Sequence, residues 1–304
     1  MPIVFAAPAA AAVSRGADLD LPRAMRWTGA DGSVWHLTRP RAVNPRMRPG
    51  VKGLHMPRME VHQTSTPLVH GVDLVGYTIP GRDVYWPLLF RAASAADWEA
   101  AHGAFFDSFH PVIPGTWTVG EGDSARTLGL TGEFEGDHSF THDPFVTGSA
   151  IIGIKLFAPR PLWRGKEIRL VFESGAGQPF IGSEKAPPFY ISPTATYQNA
   201  EIRNPGNEPS YLRWTVFGPE PHAVLGVGPS IIDVPFAIDE GSSLVIDTDP
   251  AAQYATLDGV DVTRELGFQM FAPVPPGGAT PLHIAGEGDS EVAVELTPLF
   301  WRAF

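Results

Sequence analysis

Residues 94–119, SAADWEAAHGAFFDSFHPVIPGTWTV, contain the change of period on which the fold turns. Trp98, His102, Phe105 and Phe109 recur at i, i+4, i+7 and i+11, one face of a helix. Ser94 is a good N-cap, Asp97 sits at the third helical position, and Glu99 adds a second acid where the helix dipole favours one. Pro111 is predicted to end the helix, because the residue before a proline avoids the helical region. From Thr116 the period switches to two: TWTV (116–119) and RTLGLTG (126–132) flank a Gly-rich turn at 120–124. One aromatic helix inside a β pattern predicts a helix packed on a sheet. Trp98 and the phenylalanines then belong to the core, and His102 sits at the edge of that stripe.

Upstream, Val72 to Arg91 holds two extended runs around a turn at Pro80-Gly81-Arg82-Asp83. The second run, VYWPLLF, is too apolar to face water on both sides. Trp27 to Leu37 (WTGADGSVWHL) reads as a small hairpin with Asp31-Gly32 as its turn. Between Arg39 and Met59 no helical or strand period appears, and a loop this long is usually functional. Arg39, Arg41, Arg46 and Arg48 lie within ten residues there, and are expected to dock on a neighbouring subunit's acidic surface. A solvated loop is the simpler alternative. The N-terminal MPIVFAAPAAAAVSRG lacks a positive n-region and is interrupted by Pro2 and Pro8, so an arm or first strand is expected there rather than a signal peptide.

Downstream, SAIIGIKLF (149–157) is expected to be a buried strand. APRPLWRG (158–165) breaks the pattern, which places a domain boundary there and divides the chain into 1–165 and 166–304. Ile168, Leu170 and Phe172 alternate with Glu167, Arg169 and Glu173, and Leu212, Trp214 and Val216 alternate with Tyr211, Arg213, Thr215 and Phe217. Val234, Phe236 and Ile238, then SLVID (243–247), the Asp258-Gly259 turn, and Val292, Val294 and Leu296 extend the series. Short alternating strands at this spacing predict an antiparallel sandwich.

Composition agrees with a mainly β chain. Of 304 residues, 32 are Gly and 31 Pro, distributed as punctuation between apolar runs. Charged residues make up 18%, below the roughly 25% of ordinary domains. The net charge of −11 argues against wholesale binding to a nucleic acid backbone. The absence of cysteine excludes disulfides, thiolate metal sites and cysteine nucleophiles. No apolar stretch approaches a membrane span.

No catalytic motif stands out: there is no nucleophile elbow, phosphate loop, dinucleotide fingerprint or His-Glu-x-x-His helix. The densest chemical cluster is Glu133, Glu135, Asp137, His138, His142 and Asp143, which could bind a divalent metal but reads more simply as strand and turn residues. Asp247 and Asp249 could form a hydrolytic carboxylate pair, although an Asx-type turn before Pro250 is the simpler account. No cofactor is expected. Phe180, Phe189, Tyr190 and Tyr197 lie in a long loop region of the second half, where aromatic faces can stack on sugars or anchor an interface.

The order of these elements resembles the distal tail protein (minor tail protein) family of long-tailed, siphovirus-type bacteriophages. The pieces that carry the resemblance are Trp27…Asp31-Gly32…Trp35, the helix SAADWEAAHGAFFDSFHP followed by PGTWTV, and SAIIGIKLF leading into Trp163-Arg164-Gly165. In the second half they are Asn204-Pro205-Gly206-Asn207-Glu208-Pro209 before YLRWTVFGP, then IDTDP, Asp258-Gly259 and Pro275-Pro276-Gly277. The Ala-rich N-terminus and the 173–205 loop match no family feature. The resemblance implies a tail-tube-like β-sandwich or split barrel with one flanking helix, followed by a sandwich like galectins and carbohydrate-binding modules. It further implies a homohexameric ring at the distal end of the virion tail, with tail tube protein, tape measure protein and tail-tip hub or receptor-binding proteins as partners. DNA would only pass through the lumen. The alternative is a carbohydrate-binding module that attaches to host cell-wall glycan; a hydrolase ranks third.

Overall fold

The computed structural model describes residues 23–38, 44–68, 70–133, 138, 140, 142–174 and 195–304. The fold is mainly β. The first half contains β1 (Met25–Thr28), β2 (Val34–His36), β3 (Arg46–Met47), β4 (Glu60–Thr64), β5 (Asp73–Thr78), β6 (Arg82–Arg91), α1 (Ala95–Asp107), β7 (Gly115–Val119), β8 (Arg126–Gly132), α2 (Pro144–Thr147), β9 (Ser149–Ala158) and β10 (Trp163–Arg164). The second half contains β11 (Ile168–Glu173), β12 (Ala195–Thr196), β13 (Glu201–Arg203), β14 (Leu212–Phe217), β15 (Ala223–Val227), β16 (Ser230–Val234), β17 (Ser243–Asp247), β18 (Tyr254–Leu257), β19 (Val260–Asp261), α3 (Thr263–Leu266), β20 (Ala279–Gly286), β21 (Glu291–Leu296) and β22 (Leu299–Phe300).

The first sheet runs β2–β1–β7–β8–β9–β6–β3 and curls into a half barrel, with β10 beside β8. The hairpin read at 27–37 is present, with Trp27 opposite Trp35. Its turn is closed by Asp31, which accepts from the Ser33 N–H and hydroxyl. Gly115 opens β7, where a Cβ would lie 2.3 Å from the Trp27 ring. Trp27, Trp86, Trp117 and Trp163 are fully buried. Trp86 meets Trp27 edge-to-face at 5.5 Å and Trp117 at 5.2 Å between ring centroids, the arrangement that the ring quadrupole favours.

Helix α1 closes the inner face of this sheet. The Ser94 side chain accepts from the Asp97 N–H, the expected cap. Trp98, Phe105 and Phe109 are buried, with Phe109 stacked on Trp27 at 4.7 Å. Burying each such side chain contributes about 1.5–3 kcal/mol. The helix ends at Asp107, earlier than Pro111 predicts. The Ser108 hydroxyl donates to the Phe105 carbonyl and accepts from the Trp27 indole N–H, and the Ser108 carbonyl accepts from the Ala30 N–H. These bonds terminate the helix before the proline is reached. Strand β9 is half-buried rather than buried: Ile152, Ile154 and Leu156 face the core while Ile151 and Lys155 face out.

The second half is a sandwich. A seven-stranded sheet, β12–β11–β21–β14–β17–β18–β19, packs on a four-stranded sheet, β13–β20–β15–β16. Phe172, Trp214, Val216, Ile246, Val292 and Val294 from one sheet meet Ile202, Leu225, Ile232, Val234 and Ile284 from the other. The run at Val234–Ile238 is only partly strand. Val234 closes the β15–β16 hairpin, Pro235 has no N–H to extend the ladder, and Ile238 instead bridges to Glu220. At the β18–β19 turn Asp258 (φ +49°) and Gly259 (φ +82°) both take the left-handed region that a tight hairpin requires.

The chain's last residues leave the sandwich. Strand β22 pairs with β10, Ala303 is buried in the first core, and its N–H donates to the Leu54 carbonyl at 2.9 Å.

Candidate subunit interface

Among the described residues, strands β4 and β5 form a sheet of two, paired with each other and with no other strand. Every residue of both is exposed. An isolated two-stranded hairpin is marginal in water, so this one needs a further surface to lie on. Its register slips by one residue between His62 and Gln63, where Val75 is the extra residue of a β-bulge. The slip has a chemical result. Val61 faces Tyr77, and Gln63, two residues on, faces Leu74. Leu74 therefore shares a side with Val61 and Tyr77, although it stands an odd number of positions, three, from Tyr77 in sequence. That side is 55%, 71% and 45% exposed at Val61, Leu74 and Tyr77.

The base of the hairpin is fixed. The Tyr77 hydroxyl donates to Glu208 Oε1 at 2.6 Å, and the same oxygen accepts from the Trp301 indole N–H at 2.6 Å. The bond to Glu208 pushes the Tyr77 phenol up from its usual value of 10.0. Glu208 belongs to the Asn204–Pro209 turn, which is built on buried Asn204. The Asn204 amide donates to the Glu208 and Val274 carbonyls and accepts from the Gly206 N–H. Four residues after the end of β5, Arg82 is buried and donates to four carbonyls, those of Pro161, Gly53, His55 and Trp301. Burial lowers its guanidinium to about 10, so it remains a cation at neutral pH.

Of the arginines expected at an interface, Arg39 and Arg41 lie outside the described residues. Arg46 is in β3 opposite Leu89, and the Arg48 N–H donates to the Pro87 carbonyl. Both stand by the outer face of β6, away from α1. Phe180, Phe189 and Tyr190 also lie outside the described residues. Tyr197 is half-buried against the second core, with its hydroxyl hydrogen-bonded to Ser290, and burial raises its pKa.

In the candidate metal cluster, Glu135 and Asp137 lie outside the described residues. Asp143 caps α2 by accepting from the Phe145 N–H, and His138 packs edge-on against Phe140. Among the described residues no group of three His, Asp or Glu is placed to hold a metal ion. Asp247 and Asp249 form the Asx turn: Asp247 accepts from the Asp249 N–H, Asp249 from the Ala251 N–H, and Arg213 holds the other Asp247 oxygen at 3.0 Å.

The sequence reading missed the first strand of the hairpin. EVHQT (60–64) lacks clean alternation, and the bulge hides the apolar side of its partner. The available signal was composition: from Val61 to Thr78 the only charged side chain is Asp73.

No family model and no curated protein matches the sequence. Solved structures do match the fold. The SPP1 Dit (gp 19.1) protein, described as a paradigm of the hub adsorption apparatus in phages infecting Gram-positive bacteria, aligns with a TM-score of 0.63 over 92% of this chain and 99% of that one, at 14% identity. The fold is that of the phage distal tail proteins. A chain of the phage P2 baseplate in its activated conformation with Ca aligns at TM-score 0.51 and 11% identity, over 90% of this chain and 97% of that one. The corresponding structure with Sr gives 0.52 and 12%, over 90% and 98%. At these identities the likeness to distal tail proteins is one of fold, and it spans both halves of the chain.

Proposed function

We propose that this chain is a structural, non-catalytic hub of a phage tail tip. In this reading it closes into a hexameric ring that joins the tail tube to the tail-tip or receptor-binding apparatus. Residues 1–165 form the ring, residues 166–304 form a galectin-like module, and the terminal β22 segment ties the second to the first. The observation that carries this is the β4–β5 hairpin, a pair of exposed strands with an apolar side that, among the described residues, pairs with no other strand and is tied to the rest of the chain by the Tyr77–Glu208 bond. A cyclic array of copies supplies that surface to every hairpin at once. The likeness to hub and baseplate proteins supports the same reading. Tube, tape measure and receptor-binding proteins would then be its neighbours, with DNA passing through the lumen. Among the described residues no helix is long and apolar enough to cross a membrane.

Light scattering and negative-stain imaging of the purified chain test this. Six chains of 32.8 kDa, about 197 kDa, with six-fold rings in the images, are expected. A species that stays monomeric at high concentration, alone and with tube protein, overturns it.

A second reading, glycan binding by the sandwich, is favoured by one observation. Arg169, Glu295, Arg213, Asp247 and Tyr254 form a single cross-strand row on the outer face of the larger sheet, beside a groove of about 380 Å³ that Tyr211 also lines. Binding on a glycan array, lost in Tyr211→Ala, is the expected result if this surface takes sugar.

A further inference from the structure

We infer that a pocket at the seam of the two halves binds a short acidic peptide segment of another protein, with a carboxylate on Arg126 and Arg23 and an apolar side chain beside Ile168 and Phe304. The pocket has a volume of about 470 Å³. The first half supplies Arg23 and Arg126 to its wall, and the second supplies Ile168, Pro298, Phe300 and Phe304. Junctions of this kind are favoured places for binding sites.

Local structure fixes the cations. Arg126 opens β8, beside β10 and β22. Gly165 leaves room there for the Phe300 ring, since a Cβ would lie 2.7 Å from it. The Arg126 guanidinium stacks on that ring, 3.7 Å from its centroid, and Nη1 donates to the Arg302 carbonyl at 2.6 Å. Arg23 stands 4.9 Å over the Phe304 ring. Stacking occupies a face of the guanidinium and leaves its N–H edge, which a carboxylate accepts in pairs.

The site is short of negative charge. Burial lowers the Arg126 pKa from its usual value, and the nearby Arg302 and Arg23 lower it further. Of the two acids in the lining, Asp123 is committed to Lys166 at 2.6 Å. Glu167 reaches no cation, and Arg23, Arg126 and Arg302 reach no carboxylate, within ion-pair distance among the described residues.

Charge and size select the occupant. The cavity is about 15 times the volume of one water in the liquid, so a lone inorganic anion would leave its apolar wall wet. A nucleic acid backbone is opposed by the net charge of −11. A carboxylate beside an apolar side chain meets both parts of the wall.

An array of short, end-blocked peptides, each with Asp or Glu next to Leu, Ile or Phe, is the probe for the purified full chain. A subset should bind. In fluorescence anisotropy the best binder should lose at least about tenfold in affinity in Arg126→Gln and in Arg23→Gln, and as much when its own acid becomes the amide. Arg23 is exposed, so its variant should keep the parent's urea midpoint and reports even if Arg126→Gln fails to fold. Retention of no peptide, or unchanged affinity in a folded Arg23→Gln, overturns the inference. So does inorganic phosphate or a single-stranded oligonucleotide that binds more tightly than every peptide.

Discussion

Arg82 donates through Nη2 to the carbonyl oxygen of Trp301 at 2.7 Å, joining residues 219 apart in sequence. The other guanidinium donors go to Gly53, His55 and Pro161. One side chain thus holds the loop before the hairpin, the segment before β10 and the tail after β22. Among the described residues no carboxylate takes part. The cation is held by carbonyl dipoles, and four part-buried acceptors depend on it.

Arg82→Met removes those donors while keeping part of the packing volume. The four carbonyls are only part-buried and Gly53 keeps a bond from the Trp163 indole N–H, so water replaces some of the lost donors and the total loss is expected to be about 1–3 kcal/mol. Urea unfolding measures it. Hydrogen exchange at the Ala303 amide, which donates to Leu54, should accelerate more than exchange at the Trp214 amide inside the sandwich. Equal acceleration at both sites would show that Arg82 has no special hold on the tail.

This junction also marks what the sequence could not show. Helix α1, the 27–37 hairpin, the β7–β8 pair and most sandwich strands were legible, because each expresses a local period or turn signal. Arg82 read as a turn residue, and as a turn residue it does begin β6. Its role depends on Trp301, and no local pattern connects two positions so far apart. The terminal β22 segment was counted with the second half for the same reason. In the hairpin the failure is one of phase: the bulge at Val75 shifts Leu74 onto the Tyr77 side, so strict alternation assigns it to the wrong face.

Inserting one alanine between His62 and Gln63 tests that phase argument. The added residue gives Val75 a partner, alternation becomes strict, and Leu74 moves to the side of the hairpin opposite Tyr77. If that side makes a subunit contact of the proposed ring, the assembly is expected to weaken or dissociate in light scattering. The unfolding free energy of the monomer in urea should stay within about 0.5 kcal/mol of the parent, as for surface changes away from a core. Intact rings in the insertion variant would remove the Val61–Leu74–Tyr77 side from the interface.

His102 gives the first half an acid sensitivity. Its ring stacks on Trp98 at 4.7 Å and lies 4.5 Å from Phe106. Burial, with a smaller contribution from nearby His138, holds its pKa below the usual 6.5. The unfolded chain then binds the proton more readily than the folded one. Stability must fall as pH drops through about 6.5 and level off below the folded value. In His102→Phe the urea midpoint should shift less between about pH 7 and pH 5 than in the parent. An identical shift in both would assign the acid sensitivity elsewhere.

Glu220 is the corresponding node of the sandwich. It is buried, and its Oε1 accepts from the backbone N–H groups of His222, Glu287 and Gly288 while Oε2 accepts from the Ser290 hydroxyl at 2.5 Å. The carboxylate thereby fastens the β14–β15 connection to the β20–β21 turn. Glu220→Ala strands three backbone donors and should cost about 3 kcal/mol or more. Glu220→Gln keeps an oxygen facing those donors, and its new amide can donate to Ser290, so its cost should be about 1–2 kcal/mol. The ordering, Ala well below Gln below parent in urea midpoint, separates hydrogen bonding from simple loss of volume. If the ring is built by the first half, both variants should still assemble under conditions where the sandwich stays folded. Loss of rings in Glu220→Gln with the sandwich intact would instead place part of the subunit contact on the second half.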